Sequence, residues 1–362
     1  MLFWKSFSQT FLLPLFLLTV FSLLTLASLS ANDPSPFQIF KKQLLWFILG
    51  FLVFYLVSRY FDYRILVNQN LFVVGFYLFC LLLLILVLLS GLKIRGMSGW
   101  LKIGFLHFQP VELAKLALII LLARYFSFWH IELWRPLRFL ITAGYAGIYI
   151  FLTFLQPDAG SAILLLIIWL GLLLISGLKF KQFAILSLFL IFLLVLGWFS
   201  FLKPYQKERI LTFFNPYKDP LGSGYNIIQA KIAIGSGGFW GKGLGWGIAT
   251  QLRFLPEAKT DFFLAAFLEE WGFFGGILLF LVYFWLIFQL VEIGLKVQEN
   301  FPRLFIFGYL LLLVSQIVIN FGTNLGFLPV TGLPLPFLSY GGSNLLLNFL
   351  SLAIIENIRR NL

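Results

Sequence analysis

"NLFVVGFYLFCLLLLILVLLS", residues 70–90, runs for 21 positions without a charged side chain. As a helix rising about 1.5 Å per residue it measures about 30 Å, the hydrocarbon thickness of a bilayer. No water reaches a peptide group there, so the run reads as a transmembrane helix, whose backbone bonds close on themselves. Carried outward, the same reading gives ten spans, near 11–31, 43–60, 70–90, 111–127, 138–154, 160–177, 183–202, 262–290, 303–321 and 343–358. The composition agrees: of 362 residues 61% are apolar, with 46 Phe and 11 Trp, and mean hydropathy is +0.98. A soluble globular domain is excluded, and the short alternating segments of a β-barrel are not found. The expected fold class is an all-α polytopic membrane protein with a large extracytoplasmic loop, 203–261, between spans 7 and 8. With no internal repeat or low-complexity tract, a single domain covers 1–362.

Lys5, an apolar stretch and "ASLSA" suggest a signal peptide, but the run 11–31 is too long and is read as a retained first span. Cys80 lies inside the opening run, so disulfides play no part. An even number of spans puts both termini on one side. Twelve Lys and Arg residues fall at the termini and on the loops of that side, against five in the short loops opposite and eight in 203–261. Long translocated segments contribute little to orientation, so the termini are expected in the cytoplasm. The segments 91–110, 203–261 and 322–342 and "QPDAG" (156–160) then share the outer face. The net charge of +12 points to anionic lipid or an anionic lipid-linked substrate before nucleic acid.

Polar residues concentrate in five places. In "FQPVELAKLALIILLARY" (108–125), Glu112 and Lys115 are three apart and share a helix face. They read either as an ion pair at the membrane edge or as a site facing a cavity, with Lys115 available to a phosphate. In "LQPDAGSAILLL" (155–166), Asp158 stands at a helix start, as a cap or as a site residue. The loop 203–261 begins basic and aromatic, like an interfacial segment. It continues as "GYNIIQAKIAIGSGGFWGKGLG" (224–245). That stretch fails the P-loop pattern, because Ser236 stands where the first glycine is needed and Gly243 follows Lys242. Its glycines serve tight turns and close backbone approach. "FLPEAKTDFFLAAFLEEWGF" (254–273) sets Glu257, Lys259, Asp261, Glu269 and Glu270 into an apolar run. Asp261 at the span mouth is a cap or a site residue, and Glu269 and Glu270 at depth need protonation, pairing or water. Finally, the prolines and glycines of "NLGFLPVTGLPLPFLSYGGSNLLLN" (324–348) predict a re-entrant or packed external loop near the site, its backbone buried in protein or lining a cavity.

Together "FQPVELAKLALI", "QPDAG", "GSGGFWGKGLG", "FLPEAKTDFFLAAFLEEWGF" and "LPVTGLPLPFLSYGGSN" resemble, in family order, the SEDS family (shape, elongation, division and sporulation). "YNIIQAKIAIGSGGFWGKGL" and "PVTG" look like the RodA (elongation) branch more than the FtsW (division) branch. Val111, Ala159, Trp271 and Asn344 depart from commoner family residues, and Lys259 stands where many relatives have His. The resemblance implies a ten-span peptidoglycan glycosyltransferase of the bacterial cytoplasmic (inner) membrane. It would polymerise lipid II, a disaccharide-pentapeptide on undecaprenyl pyrophosphate, beside a class B penicillin-binding protein (a transpeptidase) and the elongation machinery. The family's essential carboxylate falls on Asp261 of "KTDF".

That reaction needs a base for the acceptor hydroxyl, positive charge for the departing pyrophosphate and room for two lipid tails. Asp261 is the expected catalytic base, in an inverting in-line displacement. Glu112, Lys115, Asp158, Arg209, Lys242 and Lys259 are candidates for binding substrate. Glu269 and Glu270 are expected to support the helix that holds Asp261. The sequence neither demands nor excludes a divalent cation (Mg or Mn) beside Asp261. The alternative is a lipid II flippase, in which the intramembrane charges line a path. The absence of a repeat and the clustering of polar residues toward one face favour surface chemistry.

Overall fold

The computed structural model describes residues 9–32, 34–90, 92–94, 97–103, 106–129, 136–179, 181, 182, 184, 186, 188, 207, 212–222 and 224–362. The described chain is mostly helical: α1 Gln9–Ser30, α2 Gln38–Tyr60, α3 Arg64–Asn68, α4 Asn70–Ser90, α5 Pro110–Trp129, α6 Pro136–Leu155 and α7 Ala159–Ile175. Within the expected loop 203–261 lie α8 Tyr225–Gly237 and α9 Ile248–Gln251, and after it come α10 Phe263–Lys296, α11 Asn300–Leu325 and α12 Gly342–Arg360. By length and composition, α1, α2, α4, α6, α10 and α11 qualify as membrane spans.

The helices α5, α7 and α12 lie where three further spans were expected, and the expected span 183–202 lies almost wholly outside the described residues. The first and last of these three carry charge or amide groups and are mostly buried. A helix sheathed by other helices need not be lipid-like all round. They form the centre of the bundle: α5 packs on α4, α7, α11 and α12, and α12 packs along α2.

The all-α expectation misses one feature. Within 91–110 the strands β1 Leu92–Ile94, β2 Met97–Ile103 and β3 Leu106–Phe108 form an antiparallel sheet in the order β1-β2-β3. Lys102 pairs with His107 and Leu101 with Phe108. Strands this short leave too little alternation to read in sequence. The ribbon leads directly into α5, whose first helical residue is Pro110, as expected of a proline at a helix start.

The span beginning near Asp261 is a broken helix. In α10, Gly272 has φ 68 and ψ −171, far from helical values. The Gly-rich segment fills the break. Lys242 and Gly243 N–H donate to the carbonyls of Glu269 and Glu270 at 2.9 and 3.0 Å, and Phe273 and Phe274 N–H donate to Gly238 and Phe239, both at 2.9 Å. The two backbones touch: a Cβ on Gly272 would meet Gly241 N at 2.2 Å, and one on Gly241 would meet Glu270 O at 2.2 Å. Both glycines have positive φ, so neither tolerates a side chain for conformational as well as steric reasons.

Candidate functional site

Two adjoining cavities open at one end of the bundle. The smaller, 140 Å³, is lined by Glu112, Asp158 and Asp261 together with Gln109, Ser161, Ser343 and Asn344. The larger, 470 Å³, is lined by Lys42, His107, Arg253, Glu257 and Lys259. Trp100, Thr260, Tyr340 and Gly341 line both. A mostly basic vestibule thus adjoins an acidic inner pocket, and residues more than a hundred positions apart meet there.

Each acidic side chain is positioned by a different device. Glu112 lies in the first turn of α5, where the helix dipole favours a carboxylate. Its Oε1 accepts from Lys115 Nζ at 2.8 Å and its Oε2 from Asn344 Nδ2 at 3.0 Å. The Asn344 amide is itself oriented, since its Oδ1 accepts from Asn348 Nδ2 at 3.0 Å and Asn348 Oδ1 accepts from Tyr309 OH at 3.0 Å. Three donors in series therefore point toward Glu112. Lys115 is fully buried beneath it and does not line either cavity.

Asp158 caps a helix and also lines the inner pocket. Its Oδ1 accepts from Ser161 N–H at 2.9 Å, capping α7, while Oδ2 accepts from Gln109 Nε2 at 3.1 Å and the residue lines the inner pocket. Burial pushes its carboxyl up from the ordinary aspartate value, against the opposing pull of the Ser161 bonds.

Asp261 precedes α10, whose N-cap position falls on Phe262. Its backbone carbonyl is clasped by two amides from α11, Asn320 Nδ2 at 3.1 Å and Asn324 Nδ2 at 3.0 Å. Asn320 Nδ2 also donates to Leu333 O at 2.8 Å, and Asn324 Oδ1 accepts from Ala265 N–H at 3.0 Å. One asparagine pair thus ties the Asp261 segment to the 330–334 loop and to the first turn of α10. Opposite the carboxylate, a Cβ on Gly332 would stand 3.8 Å from Asp261 Oδ2. The chain on the other side is fixed by Tyr340 N–H donating to Lys259 O at 2.8 Å, and burial pushes the Tyr340 hydroxyl up.

Glu269 and Glu270 bind the loop 245–250 and α1. Glu269 accepts from Ala249 and Thr250 N–H at 2.8 and 3.0 Å, holding α9 in place. Glu270 accepts from Ser28 Oγ on α1 and from Gly245 N–H at 3.2 Å. The segment they hold supplies Thr250, Gln251 and Arg253 to the larger cavity.

Of the basic candidates, Lys259 lines the larger cavity, whereas Lys242 is exposed on the Gly-rich turn and lines neither cavity. Arg209 lies outside the described residues. Lys42, Arg253 and His107 were not singled out from the sequence. Lys42 and Arg253 carry only a basic charge that the orientation argument already uses, and His107 carries no charge signal at all. Among the described residues no cluster of three or more His, Cys, Asp or Glu forms a metal centre.

The structure matches solved ones closely. A chain from a peptidoglycan synthase complex, solved for the structural coordination of polymerization and crosslinking, superposes with a TM-score of 0.81 at 31% identity, over 96% of this chain and 97% of that one. The rod shape determining protein RodA of Thermus thermophilus superposes with a TM-score of 0.71 at 28% identity, over 97% and 95%. In sequence, the peptidoglycan glycosyltransferase MrdB of Escherichia coli (strain K12) is 37% identical over 286 residues, 78% of this chain and 76% of the relative. The probable peptidoglycan glycosyltransferase FtsW of Buchnera aphidicola subsp. Schizaphis graminum is 35% identical over 338 residues, 89% and 91%. The signature of the FtsW/RodA/SpoVE family, described as cell cycle proteins, matches residues 2–362, and the chain belongs to that family.

Proposed function

We propose that this multi-pass membrane protein is a peptidoglycan glycosyltransferase that polymerises lipid II into glycan strands, with its site on the outer face of the bacterial inner membrane. The observation that carries the reading is the meeting of Asp261, Glu112 and Asp158 in one pocket beside a larger basic cavity. Asp261 takes the proton of the acceptor sugar hydroxyl. That oxygen attacks the donor's anomeric carbon, the bond to the lipid pyrophosphate breaks, and the α linkage becomes β in a single displacement. The proton leaves the carboxylate for solvent through the larger cavity. Pyrophosphate carries its own negative charge away and needs no strong acid, but it does need cations nearby. Lys42, Arg253 and Lys259 in the larger cavity suit that role better than Lys115, which is committed to Glu112.

The ten-span reading, with both termini cytoplasmic, supports this geometry, because it brings the pocket to the side where lipid II is consumed. The partner is a class B penicillin-binding protein, in keeping with the structural match to a synthase complex. The deciding experiment is polymerisation of lipid II by the purified protein in proteoliposomes, read as glycan ladders on a gel. Ladders from wild-type protein and none from Asp261→Asn support the assignment. Translocation of a lipid II analogue without ladders assigns the flippase reading instead.

A further inference from the structure

The Gly-rich segment presents an apolar surface that is exposed among the described residues. Phe239, Trp240 and Trp246 are 51%, 73% and 76% exposed, and Ile248 and Leu252 are exposed beside them. Soluble loops rarely display such a surface. It is continuous with the bare side of α10 beyond the break. The Phe239 ring lies 6.0 Å from that of Phe273, and the Trp240 ring 5.4 Å from that of Phe274. From Phe273 the exposed face runs on through Phe280, Phe284 and Phe288.

Length sets the level of the bilayer. Residues 273–296 alone make a helix of about 36 Å, enough to cross a hydrocarbon core of about 30 Å. The part of α10 before the break is sheathed in protein, since Phe263, Leu264, Ala265, Ala266, Phe267, Glu269 and Glu270 are all buried. It needs no lipid around it. The loop cannot drift from this level, because four backbone hydrogen bonds fasten 238–243 to the break. Those bonds also satisfy peptide groups that lipid could not. Aromatic rings concentrate at the membrane–water boundary, and an exposed lysine there reaches the phosphate layer.

We propose that residues 238–248 are a membrane-docking surface on the pocket side of the bilayer. The rings of Phe239, Trp240 and Trp246 sit at the acyl–headgroup boundary and Lys242 among the lipid phosphates. Phe263 stands about 14 Å further out along the helix at 1.5 Å per residue, so the pocket lies at the height of the headgroup layer. The surface is independent of the reaction assigned above, and its test does not use activity.

In a Cys80→Ser background, single cysteines replace Trp240, Trp246, Phe284 and Leu221 and carry an environment-sensitive fluorophore. The proteins are reconstituted in phosphatidylethanolamine–phosphatidylglycerol vesicles. Probes at 240 and 246 are expected to emit at shorter wavelength than the probe at 221. Shallow spin-labelled lipids should quench them more than deep ones, with the order reversed at 284, while aqueous iodide should quench only 221. Iodide quenching of 246 equal to that of 221 overturns the proposal. So does a blue shift that appears only when a partner protein is added, which would assign the patch to a protein contact. If a tryptophan variant does not elute as a single species, Ile248→Cys carries the same probe on the same surface, with the same expected and overturning results.

Discussion

At the residue scale the carboxylates divide into three that line the inner pocket, Glu112, Asp158 and Asp261, and two that hold the loop, Glu269 and Glu270. Asp261→Asn keeps size and polarity and leaves the clasped backbone carbonyl untouched. Loss of a general base costs about 10²–10⁴ in rate. Glycan synthesis should fall at least that far while lipid II affinity holds, which gel and binding assays on one preparation will separate. Near wild-type turnover would remove Asp261 as the base. Glu112 behaves differently, because it is held by Lys115 and Asn344. Lys115→Met leaves a buried carboxylate without its cation, a change that costs about 3–5 kcal/mol when a buried pair is broken. Its thermal midpoint should fall well below that of Glu112→Gln with Lys115→Met, which removes the charge as well. Equal midpoints would mean that the Glu112 carboxylate costs nothing without its cation. Glu112→Ala should lose most activity, and exchanging the two residues should restore only part of it, because Asn344 would then present an N–H to an ammonium.

At the element scale the broken helix explains why two glutamates lie inside an apolar run. Breaking α10 at Gly272 frees backbone groups that the Gly-rich loop takes up, and Glu269 then gathers the next two N–H groups, of Ala249 and Thr250. Glu269→Ala strands both donors, at roughly 1–3 kcal/mol each. The variant should melt earlier, and Glu269→Gln, with one acceptor oxygen, should fall between the two. An unchanged midpoint for Glu269→Ala would show that the loop is held without the clamp. Charge placement made this part of the site legible in the sequence: a carboxylate in a membrane is costly, so each one marks a partner or a pocket. Asp261, Glu112 and Asp158 could be named for that reason. The glycines of 235–245 could be assigned to close approach, though not to the break they fill. Which member of the Glu112–Lys115 pair faces the cavity was not legible, because a spacing of three fixes only their shared face. Lys42 and Arg253 were hidden because the folded chain alone brings the start of α2 and the turn after α9 together. The asparagines Asn320 and Asn324 were hidden because neutral amides in an apolar run carry no charge signal.

At the scale of the whole molecule, burial and charge are sorted on different axes. Across the bundle, α5 and α12 sit at the centre, where Glu112, Lys115 and Asn344 meet partners, and α4 and α6 turn exposed Leu, Ile and Phe side chains outward. Along the bundle, the proposed ten-span reading assigns twelve basic residues to the side of the termini and five to the short loops opposite. That bias should fix the protein with its termini in the cytoplasm and the pocket outside. Leu221 is 88% exposed and Asn361 lies in the exposed last turn, so single cysteines at these positions in a Cys80→Ser background report the two faces without disturbing the core. Leu221→Cys should react with an impermeant maleimide in intact spheroplasts, and Asn361→Cys only after permeabilisation. Both sites must react once the membrane is opened, which separates shielding from sidedness. The reverse pattern would bring the Asp261 pocket to the cytoplasmic face. A strand polymerised there would have no route to the wall, so that outcome would end the polymerase assignment even if the Asp261→Asn variant were inactive.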